Sequence, residues 1–321
     1  MLHNHHLGSL GLMRLHKSVI VSCIASALLL FGAAQAATVL QAANGHEQEL
    51  VPTGKGYGVP FAHPSSFAKP TGGASSNGIS YHGGPVMLGT TNVYYIWYGN
   101  WSGNTATSIL TNLAQSIGGS PYYNINTTYY DGSNRHVSNA VAYIKSTNDN
   151  YSHGTALADA DIQAIVSSAI GSGALPKDTN AVYFVLTSAD VNETSGFCTQ
   201  YCGWHTHGSI LGSDIKYAFV GNPDRCPSSC AAQTTGPNGN AGADGMASII
   251  AHELEEAVTD PDLNAWYDRR GQENADKCAW TFGTTYTVAN GSKANMNLGG
   301  MDYLIQQNWV NAGGGYCALR Y

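Results

Sequence analysis

The sequence is poor in charge, and in positive charge above all. Only 11% of its 321 residues are charged, and 14 Lys and Arg stand against 21 Asp and Glu, a formal net charge of -7. Nucleic-acid binding relies on clustered Lys and Arg that neutralise phosphates, so this composition argues against a nucleic-acid partner. The low charge does not indicate disorder, because 43% of the residues are hydrophobic and can form a buried core.

Long hydrophobic runs are absent from the sequence beyond its N-terminal part. There, Arg14 and Lys17 precede an apolar run at 18–33, and Ala34-Gln35-Ala36 supplies the small residues of a cleavage site. This pattern predicts a signal peptide over residues 1–36, whose charged start, apolar run and cleavage site all lie between 13 and 36. The apolar run is short for a membrane anchor. We therefore expect a secreted, extracellular protein that keeps no membrane span after signal cleavage.

Several familiar catalytic motifs are also missing, and cysteine is scarce. The sequence has no G-x-S-x-G elbow, no P-loop and no G-x-G-x-x-G between a strand and a helix. Cleavage of the signal removes Cys23 and leaves an even set of cysteines, which in an exported chain predicts three disulfides of undetermined pairing. The C-x3-C spacings fit a zinc ribbon poorly. The disulfide candidates are Cys198, Cys202, Cys226, Cys230, Cys278 and Cys317.

The hydrophobic pattern divides the remaining chain into two parts. Residues 37–78 lack periodicity and are rich in Gly, Pro and Ser, which predicts a linker or a pro-segment. From residue 79 to 321 the periodicity indicates one α/β domain (mixed α+β) with a central sheet. The predicted strands are 92–97, 140–144, 181–186 and 217–220, and the predicted helices are 107–117, 159–170 and 245–258. We expect Asp244 to cap the last helix and the residue before Pro261 to end it.

The last predicted helix carries the run His252-Glu253-Leu254-Glu255-Glu256. Residues four apart stack on one helix face, so His252 and Glu256 are placed to hold one metal ion. Glu253 lies beside that face and is the candidate general base for a zinc-activated water. This is the H-E-x-x-H helix of zinc metallopeptidases with its second His replaced by Glu, which zinc also accepts as a ligand. The motif predicts a disulfide-stabilised, zincin-like hydrolase; the alternative is a solvated acidic helix face.

A third metal ligand is expected among the acids that follow this helix. We predict Glu273, because the glutamate-ligand metallopeptidases take their third ligand from a later segment, with a nearby acid that orients the first His. Asp276 would be that orienting acid. Asp262 is the alternative ligand, and Asp260 and Asp268 also stay open. These acids are equally compatible with a calcium-binding or merely solvated loop, so calcium is the second candidate cofactor after zinc.

Two further histidines, His205 and His207, alternate on an extended segment between cysteines. We expect the two side chains to point to opposite sides, with one of them facing the metal site. Such a residue would bind substrate, stabilise an oxyanion or supply a ligand, and His207 is our candidate for a catalytic role. The alternative is a structural role within the disulfide-bonded region.

Several characteristic segments occur at 79–88, 93–99, 185–190, 197–209, 218–230 and 237–246. Together they resemble the Exordium/phosphate-induced protein family of secreted proteins. The resemblance implies an extracellular or cell-wall-associated protein, known in plants for links to growth and brassinosteroid response, with no settled biochemical activity. The HELEE run departs from the plant pattern and favours an enzymatic branch acting on an extracellular polypeptide or cell-wall substrate. The competing hypothesis is a non-enzymatic extracellular binding protein.

Overall fold

The computed structural model describes residues 40–41, 47–48 and 78–321. The predicted signal peptide and most of the predicted linker lie outside the described residues. Within the linker range, Leu40–Gln41 and Glu47–Gln48 form a short antiparallel strand pair. No helix in the described part of the chain combines the length and the apolar character that crossing a bilayer requires.

A five-stranded mixed sheet forms the centre of the domain and confirms the predicted α/β class. Its strands are Thr91–Tyr98 (β1), Val141–Asp149 (β2), Ala181–Thr187 (β3), Gly203–Ile210 (β4) and Ser213–Val220 (β5). They pair in the order β2-β1-β3-β5-β4. Strands β2, β1, β3 and β5 run parallel, and β4 is antiparallel to β5 at one edge. Parallel strands are covered on both faces, which explains why β1 and β3 are almost continuously apolar.

The β4–β5 hairpin is the main element that the hydrophobic pattern did not predict in full. Strand β4 was not predicted as a sheet strand, and β5 begins at Ser213 rather than at 217. Leu211 and Gly212 connect the two strands with positive φ values of 49° and 75°, as a tight two-residue hairpin turn requires. Buried polar residues interrupt the apolar alternation of β4, so the hydrophobic pattern does not predict the strand.

The helices cover both faces of this sheet. A Cβ atom at Gly203 would contact Ile249 of the third helix, whereas one at Gly208 would contact Gln163 of the second. Since these two positions of β4 differ by an odd number of residues, the second and third helices lie on opposite faces. The first helix packs against the third. The three helices are Ala106–Ser116 (α1), Asp159–Gly171 (α2) and Ala241–Thr259 (α3).

Helix α3 begins earlier than the sequence indicated. Asn240, not Asp244, is its N-cap, and the Asn240 side chain accepts a hydrogen bond from the Ala243 N–H at 3.0 Å. Asp244 lies inside the helix and accepts hydrogen bonds from Asn238 instead. The helix ends at Thr259, as predicted from the proline that follows Asp260. It is buried on almost every side, which excludes the solvated acidic face considered for the HELEE run.

Short elements and disulfides complete the domain, and the predicted number of disulfides is confirmed. Cys198–Cys226 and Cys202–Cys230 join the loop before β4 to the segment after β5, and Cys278–Cys317 joins the segment after α3 to the last hairpin. The remaining helices are Pro227–Cys230 and the 3-10 turns Tyr123–Thr128, Pro223–Arg225 and Asp276–Cys278. The remaining strands pair as Ser80–Tyr81 with Trp266–Tyr267, Ala156–Leu157 with Asn192–Glu193, Tyr286–Thr287 with Lys293–Ala294, Met296–Leu298 with Met301–Tyr303, and Asn308–Val310 with Tyr316–Ala318.

Candidate metal centre

His252 and Glu256 lie one turn apart on α3 and meet in the interior. The Nε2 atom of His252 is 2.7 Å from Oε1 of Glu256, and both side chains are buried. Neither ring nitrogen of His252 has a hydrogen-bond partner of acceptable geometry among the described residues, so the contact with Glu256 is close but poorly aligned. A buried imidazole whose nitrogens lack hydrogen bonds destabilises the folded state unless another group binds one of them. A metal ion between the two side chains would do so.

Asp276 approaches the same pair from the 3-10 turn that follows α3. Its Oδ1 atom is 3.5 Å from Nε2 of His252, and its backbone N–H donates to Oε1 of Glu256 at 3.1 Å. The disulfide of Cys278 holds this turn against the last hairpin. Asp276, predicted as an orienting residue, is thus the acid that the structure brings nearest to His252 and Glu256 together.

Glu273 lies in the same buried region but contacts a different histidine. Its Oε2 atom is 3.0 Å from Nε2 of His205, and that nitrogen is 3.8 Å from Oε2 of Glu256. Two donor triads result, and each brings its donor atoms within 4.8 Å of one another. We call the five residues of these triads the His–carboxylate cluster, and none of them is more than 4% exposed. Its members are His205, His252, Glu256, Glu273 and Asp276.

His205 and His207 point to the same side of β4, so the expectation that they face opposite sides is wrong. Residues two apart on a strand share a face, and here both face the α3 side of the sheet. His205 reaches the cluster. His207 lies further along the strand, 2.8 Å from Asp214 and 3.7 Å from Asp262. Correct strand parity would have placed both histidines on the metal side, but position along the strand decides that His205 and not His207 reaches the cluster.

Asp262, the alternative ligand, is not brought to His252. Its Oδ1 atom is 3.1 Å from Nζ of Lys216, which also contacts Asp214 at 2.6 Å. Together with His207, these residues form an ionic network outside the cluster. The Lys216 ammonium group already supplies the positive charge between the two carboxylates, which argues against a metal ion there.

Glu253, the predicted general base, is fully buried against the beginning of β4. A Cβ atom at Gly203 would lie 3.1 Å from Oε1 of Glu253 and 2.6 Å from the Ile249 side chain. Only glycine fits at this position, chiefly because a Cβ atom would also meet the Phe219 carbonyl at 2.7 Å. Gly203 and His205 are on the same face of β4, so the carboxylate of Glu253 lies on the side of the strand that faces the cluster.

Three other buried acids, Glu255, Asp260 and Asp268, lie outside the cluster. Burial raises the pKa of Glu255 well above its usual range, and the neighbouring Tyr122 and Asn126 side chains act in the opposite direction. Burial also raises the pKa of Asp260 to about 6, although the backbone N–H groups of Asn264 and Ala265 donate to this carboxylate.

Asp268 closes the loop that leads to Glu273. Burial alone would raise its pKa, but donors from Arg270, Gln272 and Lys277 leave the pKa of Asp268 lowered. Asp260 and Asp268 therefore act as acceptors for their own loops, and the structure gives neither of them a contact with His252.

The chain is thus a disulfide-bonded α/β domain with a buried His–carboxylate cluster, and its relatives place it in a family. It belongs to the family described as the phosphate-induced protein 1 conserved region, whose model matches residues 79–300. This confirms the resemblance seen in the sequence. Both histidines and all three acids of the cluster fall within the matched range.

Three plant proteins illustrate the similarity. EXORDIUM-like 3 of Arabidopsis thaliana is 34% identical over 271 residues, which cover 72% of this chain and 80% of the relative. EXORDIUM-like 5 of the same species is 33% identical over 273 residues, covering 72% and 75%. PHOSPHATE-INDUCED 1 of Nicotiana tabacum is 27% identical over 219 residues, covering 59% and 67%. These names specify no reaction, so the function must be argued from the site.

Proposed function

We propose that this protein is an extracellular zinc-dependent hydrolase, with polypeptides as the first substrate class to test. The observation that carries the proposal is the approach of His252, Glu256 and Asp276 to one another in the interior. The first two belong to an H-E-x-x-E helix, the glutamate variant of the metallopeptidase helix. The central sheet with this helix packed on its face supports a zincin-like domain.

The chemistry of the donors fits zinc. Imidazole nitrogen and carboxylate oxygen are ordinary zinc ligands, whereas calcium takes six to eight oxygen ligands and gains nothing from imidazole. Three carboxylates and two imidazoles meet in the buried cluster. Buried carboxylates are costly without compensating positive charge, and a divalent cation supplies it. The donor set therefore favours zinc over the calcium alternative.

In the proposed mechanism, His252, Glu256 and Asp276 hold the ion. When bound, zinc would supply Lewis acidity and lower the pKa of a water molecule. The N–H donated by Asp276 fixes the orientation of the Glu256 carboxylate. Glu253 would accept a proton from the attacking water and pass it to the leaving amine. Glu273, predicted as the third ligand, instead contacts His205, and both remain close enough to Glu256 to join the metal centre.

The extracellular location is supported by chemistry as well as by the signal-like N-terminus. Disulfides persist in oxidising compartments, and the domain holds three of them. An extracellular polypeptide or a cell-wall component is accordingly the proposed partner. The ionic network of His207 lies outside the cluster, so we propose that His207 contacts substrate rather than metal.

A second candidate function is favoured by the deep burial of the cluster. Structural zinc sites are closed by four protein ligands, whereas catalytic sites keep an open position for water or substrate. The cluster offers five residues, none of them more than 4% exposed. If four of them bind one ion at once, the metal would stabilise a non-enzymatic extracellular binding protein.

The deciding experiment measures metal content and hydrolysis on the same preparations. Wild type and His252→Ala are compared by elemental mass spectrometry, and we expect zinc in the first and a lower zinc content in the second. Glu253→Gln should keep the metal but lose hydrolysis of a mixed peptide library. Glu255→Gln is the matched control, because Glu255 is equally buried on the same helix but faces tyrosines. Zinc without hydrolysis in wild type would favour the binding protein, and an active Glu253→Gln would remove the base assignment.

A further inference from the structure

Glu256 stands between two imidazoles and presents a different oxygen to each. Its Oε1 atom is 2.7 Å from Nε2 of His252, and its Oε2 atom is 3.8 Å from Nε2 of His205. The histidines come from different elements, His252 from α3 and His205 from the edge strand β4. A carboxylate in this position is suited to bridging two centres rather than capping one.

Each imidazole also has a second carboxylate of its own. Asp276 is 3.5 Å from His252, and Glu273 is 3.0 Å from His205. The two donor triads therefore have Glu256 as their single common member, and each is compact, with its atoms within 4.8 Å of one another. The cluster consists of two matching arms, one histidine and one acid each, on either side of a shared glutamate.

We propose that the His–carboxylate cluster binds two divalent cations bridged by Glu256. His252 and Asp276 hold the first ion, and His205 and Glu273 hold the second. One divalent ion leaves the three buried carboxylates with an excess of negative charge, and a second ion removes it. Two-metal hydrolytic sites hold their ions about 3.5–4 Å apart, a separation that a bridging carboxylate can span. The inference rests on the proposed function only in taking the cluster as a metal centre.

The other His–carboxylate group in the described residues differs from the cluster because it contains a lysine ammonium group. His207, Asp214 and Asp262 also gather donor atoms, but Nζ of Lys216 lies 2.6 Å and 3.1 Å from the two carboxylates. That group already contains its cation. In the buried cluster both arms combine imidazole with carboxylate, the donor types that suit zinc and related divalent ions.

The test counts metal ions per chain. The full chain is stripped with a chelator, loaded with excess Zn²⁺, desalted and analysed by elemental mass spectrometry, and we expect about two ions per chain. Glu273→Gln, which keeps the volume of the side chain, should lower the count to about one. Glu193→Gln, a change at another buried acid outside the cluster, should leave it at two. Circular dichroism verifies that each variant is folded.

A second readout uses Mn²⁺ in place of Zn²⁺. Two ions bridged by one carboxylate couple magnetically, so the electron paramagnetic resonance spectrum of the loaded wild type should be that of a coupled pair. In Glu273→Gln it should revert to that of an isolated ion. One Zn²⁺ per wild-type chain at saturation, or two in Glu273→Gln, would overturn the inference. Two bound ions without hydrolysis would support the two-ion site and contradict the proposed hydrolase function. Hydrolysis with one bound ion would support the hydrolase function and contradict the two-ion site.

Discussion

The backbone N–H of Asp276 donates to Oε1 of Glu256 at 3.1 Å, the same oxygen that lies 2.7 Å from Nε2 of His252. This hydrogen bond joins the 3-10 turn of Asp276 to helix α3, and its acceptor is the Glu256 carboxylate that we assign to the metal. The orientation of Glu256 therefore depends on a turn twenty residues away in sequence, and that turn is held by a disulfide.

Asp276→Asn should weaken zinc binding because it removes a charged donor 3.5 Å from His252 while keeping the backbone N–H. We expect a loss of affinity of about 10–100-fold, measured by competition with a chromophoric chelator. Asp302→Asn is the control, since Asp302 accepts hydrogen bonds from Tyr286 and Asn297 away from the cluster. Equal affinity in both variants would show that Asp276 contributes nothing to the metal centre.

Gly203→Ala should disturb Glu253 and destabilise the fold. The new methyl group would meet Ile249 at 2.6 Å, the Phe219 carbonyl at 2.7 Å and Glu253 at 3.1 Å. Overpacking of this kind costs about 1–3 kcal/mol in the free energy of unfolding, measured by urea denaturation. We also expect lower hydrolytic activity in the folded variant, because the displaced carboxylate is the proposed base.

The matched control for this substitution is Gly171→Ala at the end of α2. A Cβ atom there would have its nearest neighbour, a Leu211 methyl group, at 3.8 Å, an ordinary contact. We expect its stability to change by no more than about 0.5 kcal/mol. If the two variants were equally stable, the tight packing of Glu253 against β4 would not be a real constraint.

Hydrophobic periodicity predicted most of the sheet and all three long helices, because buried parallel strands and amphipathic helices have strong patterns. It did not predict β4, where His205 and Thr206 are buried as polar residues. A strand that carries functional side chains loses the apolar alternation by which strands are recognised. The element that brings His205 to the cluster was missed for this reason.

The candidate site was predictable only where its spacing is local. His252 and Glu256 lie one helical turn apart, so helix geometry alone brings them together. The choice between Glu273 and Asp276 depends on the path of an irregular loop, which no periodicity describes. The resulting arms, His252 with Asp276 and His205 with Glu273, are products of tertiary structure.

The contribution of Glu193 to stability should fall as the pH rises, because this carboxyl is buried beside Tyr201 and its pKa is raised. Tyr201 donates to Glu193, Ser195 contacts the Tyr201 hydroxyl, and Ser195 donates to Asp159 at 2.6 Å. Burial has the larger effect on the pKa of Glu193 and raises it, whereas the hydrogen bonds from Tyr201 and Ser195 lower it.

The sign follows from proton linkage. Above the ordinary glutamate pKa of 4.5, the folded protein keeps a proton on Glu193 that the unfolded chain releases, so stability decreases with pH up to the raised pKa. Glu193→Gln mimics the protonated form, and its unfolding free energy should decline less over this range. Urea denaturation at a series of pH values measures the slope. Parallel slopes in wild type and Glu193→Gln would contradict a raised pKa of Glu193 in the folded protein.

Removal of the Cys278–Cys317 disulfide should weaken metal binding as well as the fold. The bond joins residues 39 apart and holds the turn of Asp276. The double variant Cys278→Ala, Cys317→Ala should lose about 2–5 kcal/mol of stability, and zinc affinity should fall because the turn no longer fixes Asp276 against Glu256. The control is the Cys198→Ala, Cys226→Ala variant, which removes a disulfide that joins segments outside this turn. We expect comparable destabilisation there with a smaller loss of affinity. Equal losses of affinity in both would mean that the disulfides act on the metal centre only through global stability.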